Sequence, residues 1–597
     1  MLARQHALRT WLQQRRVTWM AGALAFLVTA PAFWVGLVGD DYVHRSFLLD
    51  HLHSDSAPGV WWNMFQNPET VESQVSFGVL PWWTSPRLRV ALFRPLATLS
   101  QYVDYLLWPE QPFWMHVHNS VLYALLVAAV AALYWRLLPS AAASLAALLY
   151  AVDDAHALGT AWLAGRNTLL TALFAVLTLH LFIRARETGA MRHTLAAVCT
   201  LLLAHASSEG AVGIWAYIAA YELLLARSSL AARVRGLLPL AAASGAWIVF
   251  TALQSYGVTG SGAYLDPREA PAQFLSEVMD RFPKLLVMQF GLAGELSSHV
   301  EPRIARIASL VSYTLLLAIS LLSVGARRRS AAWRFFLVGC IGSLLPLCAV
   351  GAVGRVLFVS GLGAHALVAL LFTWGMQRVL MAWSSRSMRL AGSASLWSIL
   401  AIQSACTVHG ALAAPSWWLS MHRYIYDVAQ SLPSGKVLES SAIMILNSRD
   451  YLATPFVLLY RRLFSMPGPL LVHVLGVSTE AVRVQRVSDV SIELEAEHGY
   501  LSDPTSILVR PRNEPFHVGQ VIDLFGARVE VTDVTPDARP ARIRVDTFNI
   551  DDPRLLWVVW DDAARRYVRI QMPRPGESLS LAAMPDANPA RPFSMLD

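Results

Sequence analysis

The sequence has little charge and almost no cysteine. Only 15% of its 597 residues are Asp, Glu, Lys or Arg, whereas soluble globular proteins carry about 25%. This shortage excludes an ordinary soluble domain. A hydrophobic content of 55% and a mean hydropathy of +0.43 predict a polytopic α-helical membrane protein. The four cysteines have no CxxC spacing, so no disulfide framework is expected.

Internal repeats are also missing, and the positive charge is scattered. No self-similarity recurs at a period near 34 residues, which excludes a repeat array. The formal net charge is +7, but the arginines lie in short segments between apolar runs. There they set membrane topology, so no nucleic-acid partner is predicted.

Long apolar runs are what the sequence does contain. Runs of about 17–25 residues predict transmembrane helices, and we count about eleven, which make 17–412 one transmembrane domain. They are 17–39, 116–137, 139–153, 167–184, 193–207, 210–226, 236–256, 304–324, 332–351, 355–376 and 391–412.

Arginine-rich and arginine-poor connections alternate along these spans. The tail 1–16 carries four arginines, and every second loop after it is also rich in arginine. The positive-inside rule predicts that this tail is cytoplasmic and that long loops at 40–115 and 257–303 lie outside. The first span is interpreted as a retained signal-anchor. The predicted location is the inner (plasma) membrane, crossed many times.

The C-terminal region has a different pattern. After a linker at 413–434, the segments VRVQRVSDVSIELEAEHG, VIDLFGARVEVTDV and ARIRVDTFNI alternate apolar and polar residues. This period of two predicts antiparallel strands, whereas SRDYLATPFVLLYRRL (448–463) resembles an amphipathic helix. We therefore expect a small β-rich periplasmic domain at 435–597.

Paired acids follow the first span. Asp40 and Asp41 stand where an apolar helix should reach the membrane surface, although charge near lipid is costly. One interpretation is a solvated or capped helix end. The other is a general base that accepts a proton from a hydroxyl.

Other polar residues recur on the same predicted exterior face. His118 and Asn119 open the second span, where interfacial hydrogen bonding is the alternative to a functional role. Glu209 lies in the turn SSEG, either solvated or facing a cavity. Arg355 opens a later span, where a guanidinium can bind a phosphate through two hydrogen bonds.

The stretch YAVDDAHALGTAWLAGR (150–166) brings acids, a histidine and Arg166 to that face. Asp153 and His156 are candidate ligands for a divalent cation. Polar packing within the loop is the alternative. No cofactor is otherwise expected.

Together these stretches resemble the type C (GT-C) membrane glycosyltransferases, over about 35–375. The motifs are DDY, RPLATLSQYVDYLLW before FWMHVHN, the W-x-x-G-R of AWLAGR, SSE, and GRVLFVSGLG. They look closest to the transmembrane O-mannosyltransferases that carry tetratricopeptide repeats, and to their bacterial relatives. The resemblance implies a GT-C-like fold and inverting transfer of a sugar from a polyprenyl-phosphate carrier.

The resemblance also implies roles for individual residues. The base would be Asp40 or Asp41, and Arg166 and Arg355, to which we add Arg94, would contact the donor phosphate. Glu209 matches the acid of the family's S-K-E turn, although position 208 is Ser. The family's H-P-x-H-x-E pattern falls on 153–158, where only His156 matches, and a β-rich region replaces the repeats.

The leading hypothesis is therefore sugar transfer from a lipid-linked donor to a hydroxyl acceptor, either a protein or an envelope glycan or lipid, at the periplasmic face. Its partners would be the donor, the membrane and that acceptor. Two alternatives remain: a transporter or flippase for a lipid-linked sugar, and a non-catalytic envelope scaffold. Transporters often show internal repeats, and none is found here.

Overall fold

The structure is a computed structural model of the chain. It describes residues 2–52, 63–65, 68–291, 296, 301–326, 330–382, 385–432, 441–448, 453–466, 468–469, 471–478, 480–502, 505–561, 563–564 and 566–583. The predicted exterior loops 40–115 and 257–303, the linker and the C-terminal region each include positions outside these ranges.

Helices dominate the described part of the chain. They are α1 (Leu2–Thr29), α2 (Asp40–Leu52), α3 (Pro68–Ser76), α4 (Pro95–Leu107), α5 (Pro112–Leu137), α6 (Ser140–Ala151), α7 (Asp154–Thr160), α8 (Arg166–Thr188), α9 (Met191–His205), α10 (Ile214–Leu224), α11 (Leu230–Leu253), α12 (Pro271–Phe290), α13 (Pro302–Ala326), α14 (Ala331–Leu344), α15 (Phe358–Ala382), α16 (Arg386–Ser431) and α17 (Ala453–Leu463).

The strands are shorter. They are β1 (Asn63–Phe65), β2 (Arg89–Ala91), β3 (Gly257–Thr259), β4 (Ala442–Ile445), β5 (Leu471–Val474), β6 (Val482–Arg486), β7 (Ser491–Ala496), β8 (Val521–Leu524), β9 (Ala527–Val534), β10 (Pro540–Thr547), β11 (Leu555–Asp561), β12 (Arg566–Arg569) and β13 (Ser578–Leu581).

The prediction of a polytopic helical membrane protein is confirmed. Among the described residues, eight helices are long and apolar enough to cross a membrane, and each of the eleven predicted spans is largely helical. Three of them are short: α6, α9 and α10 have 12, 15 and 11 residues. A helix rises about 1.5 Å per residue and the hydrocarbon core is about 30 Å thick, so these three do not span it alone.

The chain forms two compact units. The helical unit comprises Met1–Val38, Phe93–Tyr256 and Ala270–Leu419, and the mixed unit comprises Gly39–Leu92, Gly257–Glu269 and Ser420–Asp597. The predicted exterior loop 40–115 is thus divided between them. The predicted linker 413–434 is helical as far as Ser431, because α16 continues to that residue.

Small residues let the helices of the helical unit pack closely. Five alanines of α6 have no exposed surface, and α6 packs on α5 and α15. At Gly339 of α14, a Cβ atom would lie only 2.2 Å from the ring of Tyr217 on α10. Small side chains at such contacts are how membrane helices gain van der Waals packing.

The mixed unit contains three sheets. One has six antiparallel strands in the order β13-β6-β7-β10-β9-β8, as the alternating sequence predicts. A second has the order β12-β11-β4-β5, where β4 runs parallel to both of its neighbours. The third joins β1, β2 and β3. The helix predicted at 448–463 is present as α17 and connects β4 to β5.

Segments far apart in sequence build this mixed unit. The Trp82 indole donates to the carbonyl of Leu475 at 3.0 Å, and the amide of Gly262 donates to that of Ile507 at 2.7 Å. Both predicted exterior loops therefore supply chain to the same unit as the C-terminal strands.

Candidate functional site

The paired acids begin a helix of the mixed unit. Asp40 and Asp41 occupy the first turn of α2, where the positive end of the helix dipole favours carboxylates. Asp41 is only 2% exposed, whereas Asp40 is partly exposed. The next residue, Tyr42, is fully buried, with its hydroxyl 3.1 Å from Nδ1 of His422. Asp40 is therefore the more accessible carboxylate of the pair.

The stretch that precedes the acids in sequence belongs to the helical unit and is held there by two side chains. Nε2 of His116 donates to the carbonyl of Gly36 at 2.9 Å, and the Trp162 indole donates to that of Val38 at 3.2 Å. Gly36 has a positive φ of 80°, a conformation that favours glycine. Both hydrogen bonds fix backbone just before the DDY motif.

Arg166 lies at the centre of a closed polar network. Its side chain has no exposed surface and forms an ion pair with Asp104, which is itself 1% exposed. Nε donates to Oδ1 of Asn119 at 2.6 Å, and the other nitrogens donate to the backbone carbonyls of Ser100 and Met115. Each guanidinium nitrogen thus has a protein partner, as a buried charge requires.

His118 joins the same network through Asp104. Its Nδ1 lies 2.7 Å from Oδ1 of that carboxylate. The Asn119 amide donates to the carbonyl of Thr160 at 3.0 Å. Asp104 on α4 therefore links His118 of α5 to Arg166 of α8, and Arg166 also bonds to Asn119 of α5.

Arg355 is different, because it is only partly buried. Its guanidinium carbon lies 5.1 Å from the centre of the Trp162 ring, a cation–π contact. The Trp162 ring in turn stacks on Trp418, with centroids 4.9 Å apart and planes 19° apart. This aromatic pair positions a partly exposed cation three residues before the start of α15.

Arg94 and Glu209 form a two-point ion pair. Nε and Nη2 of Arg94 lie 3.2 and 2.5 Å from the two carboxylate oxygens, and the side chains are 25% and 44% exposed. Burial acts to raise the pKa of Glu209, but the charge and hydrogen bonds of Arg94 outweigh it and hold that pKa below its usual value. The SSE turn is thereby fixed to the start of α4 with its acid ionised.

A third cluster joins α7 and α15. Asp153, the N-cap of α7, accepts hydrogen bonds from the amides of Ala155 and His156, and its Oδ2 lies 2.7 Å from Nε2 of His365. Burial lowers the pKa of His156, which favours its neutral form. The two candidate metal ligands from the sequence thus meet a third residue, His365.

Sequence reasoning missed three residues that organise these clusters. Asp104 lies within the quoted stretch VDYLLW, and Trp162 is the first letter of W-x-x-G-R. His365 stands two residues after the motif GRVLFVSGLG. Their positions inside or beside these motifs were the available signal, but only the tertiary contacts reveal what they touch.

Comparisons with known proteins give structural likenesses only. No protein-family profile matches the sequence, and no functionally curated protein does. Similar solved structures include the oligosaccharyltransferase of Archaeoglobus fulgidus tethered to an acceptor peptide with the NVT sequon, at 13% identity and a TM-score of 0.45. That likeness covers 77% of this chain and 64% of the archaeal one.

Two further similar structures contain a lipid phosphate. ArnT from Cupriavidus metallidurans bound to undecaprenyl phosphate is 12% identical, with a TM-score of 0.37 and coverage of 75% of this chain and 84% of that one. AglB from Archaeoglobus fulgidus with an inhibitory peptide and a dolichol-phosphate is 13% identical, with a TM-score of 0.42 and coverage of 74% and 63%. TM-scores below 0.5 are too low to assign a family or a function.

Proposed function

We propose that this protein transfers a sugar from a polyprenyl-phosphate carrier to a hydroxyl acceptor, with inversion, on the non-cytoplasmic side of the membrane. The observation that carries the proposal is the partly exposed Arg355 on the Trp162–Trp418 stack. Trp162 also holds the carbonyl of Val38, which precedes Asp40 by two residues. One tryptophan therefore supports both the proposed phosphate ligand and the backbone that leads to the proposed base.

The leaving group in such a reaction is a lipid phosphate, on which negative charge develops. Arg355 would stabilise that charge through its guanidinium, which forms two parallel hydrogen bonds to phosphate oxygens. Arg94 would contact the same phosphate, oriented by its ion pair with Glu209. Arg166 would act as a positioning residue, since each of its nitrogens already contacts protein.

A general base must reach the acceptor hydroxyl. Asp40 is the better candidate of the two acids because it is partly exposed, whereas Asp41 is almost fully buried. A positioned carboxylate typically accelerates such a proton transfer by about 10²–10⁴-fold. Attack from the face opposite the phosphate would invert the anomeric centre.

An apolar groove on α9 and α11 suits the polyprenyl chain. It encloses about 610 Å³ and is lined by apolar side chains, among them Leu202, Trp247 and Phe250. Phe93, directly before Arg94 in the chain, forms part of the wall. Because α11 is an apolar candidate span with little of its surface buried, we propose that this groove opens towards lipid and holds the carrier tail.

The test is transfer by the purified full-length protein in lipid nanodiscs. A radiolabelled polyprenyl-phosphate sugar is supplied with delipidated envelope fractions as acceptors, and labelled product is measured with its anomeric configuration. We expect labelled, inverted product from the wild type and a large loss with Arg355→Lys, because one of two parallel hydrogen bonds is lost. Arg378→Lys, on the last turns of α15, is the matched control.

Two results would contradict this function. Donor movement across the membrane without any labelled acceptor would favour the flippase, and unchanged envelope glycans in a deletion strain would favour the scaffold. Equal kcat and KM for the wild type and Arg355→Lys would remove the phosphate role from Arg355 alone.

A further inference from the structure

The cluster of Asp153, His156 and His365 has the composition of a metal site. One ligand atom from each residue lies within 4.8 Å of the ligand atoms of the other two. All three side chains are buried, at 4%, 0% and 5% exposure. Asp153 and His365 already contact each other, and a cation between the three side chains would be a ligand partner for all of them at once.

The tautomer of His156 leaves a lone pair in this cluster. Nδ1 lies 3.1 Å from the carbonyl of Tyr150 and donates to it, so Nε2 carries the lone pair. Nε2 is buried and forms no hydrogen bond within the usual limits of distance and angle to a described residue, although the backbone carbonyl of Leu357 lies beside the ring. A ring nitrogen fixed by a backbone carbonyl, with the other nitrogen left to coordinate, is the usual arrangement of a metal-bound histidine.

A glycine preserves the space beside that nitrogen. A Cβ atom at Gly361 would lie 2.8 Å from Nε2 of His156. Gly361 and His365 are four residues apart on α15 and so share one face of the helix. Nε2 of His156 therefore faces the side of α15 that carries the second histidine.

The carboxylate of Asp153 is also held in a fixed orientation by its hydrogen bonds. Oδ1 accepts from the amides of Ala155 and His156 at 2.8 and 3.3 Å, and Oδ2 lies 2.7 Å from Nε2 of His365. A cation can take the place of the proton shared by Oδ2 and Nε2. Two nitrogen ligands with one carboxylate favour zinc or a similar transition metal over magnesium or calcium, which prefer oxygen.

We propose that Asp153, His156 and His365 bind one transition-metal ion of the zinc class. This site goes beyond the proposed function and does not depend on it. Because it joins the N-terminus of α7 to α15, the ion would fix the loop that carries Trp162 relative to the helix that follows Arg355. The expected effect of the metal is therefore on stability.

The first measurement is the metal content of the full-length protein. The protein is purified in detergent from cells grown with zinc, manganese, iron and cobalt, and bound metals are quantified by mass spectrometry. We expect one metal per chain in the wild type and a loss of most of it in His365→Gln and Asp153→Asn. The control is His205→Gln, since His205 is also buried but bonds to Ser244 on another helix and should leave the content unchanged.

The second measurement does not depend on variants that fold. Wild-type protein is stripped with a chelator, its thermal unfolding is followed, and Zn²⁺ or Co²⁺ alone is added back. We expect the midpoint to fall on stripping and to return with either ion, with visible Co²⁺ absorption typical of nitrogen and oxygen ligands. A wild type without stoichiometric metal, a midpoint that no ion shifts, or equal metal in wild type and both variants would overturn the site.

Discussion

One ion pair from each unit shows how differently the two regions can hold charge. In the helical unit, Arg166 and Asp104 are paired with almost no exposed surface. In the mixed unit, cross-strand pairs such as Arg542 with Glu495, on β10 and β7, remain about 40% exposed. Water solvates the second kind of pair but not the first. The consequence is that the Arg166–Asp104 pair depends on both partners, whereas the Arg542–Glu495 pair tolerates the loss of one.

The largest expected effect is on transfer activity, and it should differ between the two acids of the DDY motif because their exposure differs. Asp40→Asn should lower transfer by about 10²–10⁴-fold without changing the thermal midpoint, because Asp40 is partly exposed. Asp41→Asn should lower the midpoint as well, since Asp41 is buried. Kinetics in nanodiscs and thermal unfolding of both variants test this. Wild-type activity in Asp40→Asn would remove its role as base.

The next effect concerns the buried pair of the helical unit. Asp104→Asn keeps the shape of the side chain but leaves the Arg166 charge uncompensated, which should cost about 3–5 kcal/mol of stability. Unfolding in mixed micelles titrated with sodium dodecyl sulfate measures it. The double variant Asp104→Leu with Arg166→Met should recover much of the loss. A small cost for Asp104→Asn alone would show that the comparison between the units is wrong.

The smallest effect is expected in the mixed unit. Glu495→Gln removes a half-exposed partner of Arg542 and should change the free energy of unfolding by about 0–1 kcal/mol. Unfolding by sodium dodecyl sulfate is measured for this variant, for the wild type and for Asp104→Asn under the same conditions. A cost as large as that of Asp104→Asn would mean that exposed pairs hold this unit together.

Short sequence patterns predicted those helices and strands that are determined by interactions between residues close in sequence. The apolar runs of α5 and α8 and the alternation of β6, β7, β9 and β10 are visible in short windows, and so is the amphipathic α17. The parallel pairing of β4 with β5 and β11 was not predicted, because strand partners distant in sequence leave no periodic signal. For the same reason, no window reveals that Gly39–Leu92 folds with the C-terminal strands.

The sequence predicted which residues belong to the candidate site. It did not predict which of these residues contact one another. Arg355, Arg94 and Glu209 stand out because charges are rare among apolar spans. Whether an arginine is partly exposed on a tryptophan, as Arg355 is, or enclosed by Asp104, as Arg166 is, depends on tertiary packing. The catalytic role of Asp40 and the metal site both remain predictions for the experiments above.

The mixed unit has a consequence for how the chain is made. Trp82 donates to Leu475, a residue 393 positions later. At the usual synthesis rate of about 5–20 residues per second, roughly 20–80 seconds pass between the synthesis of Trp82 and that of Leu475. During that interval the early segment has no finished sheet to join, so the newly made chain should depend on a chaperone that shields it.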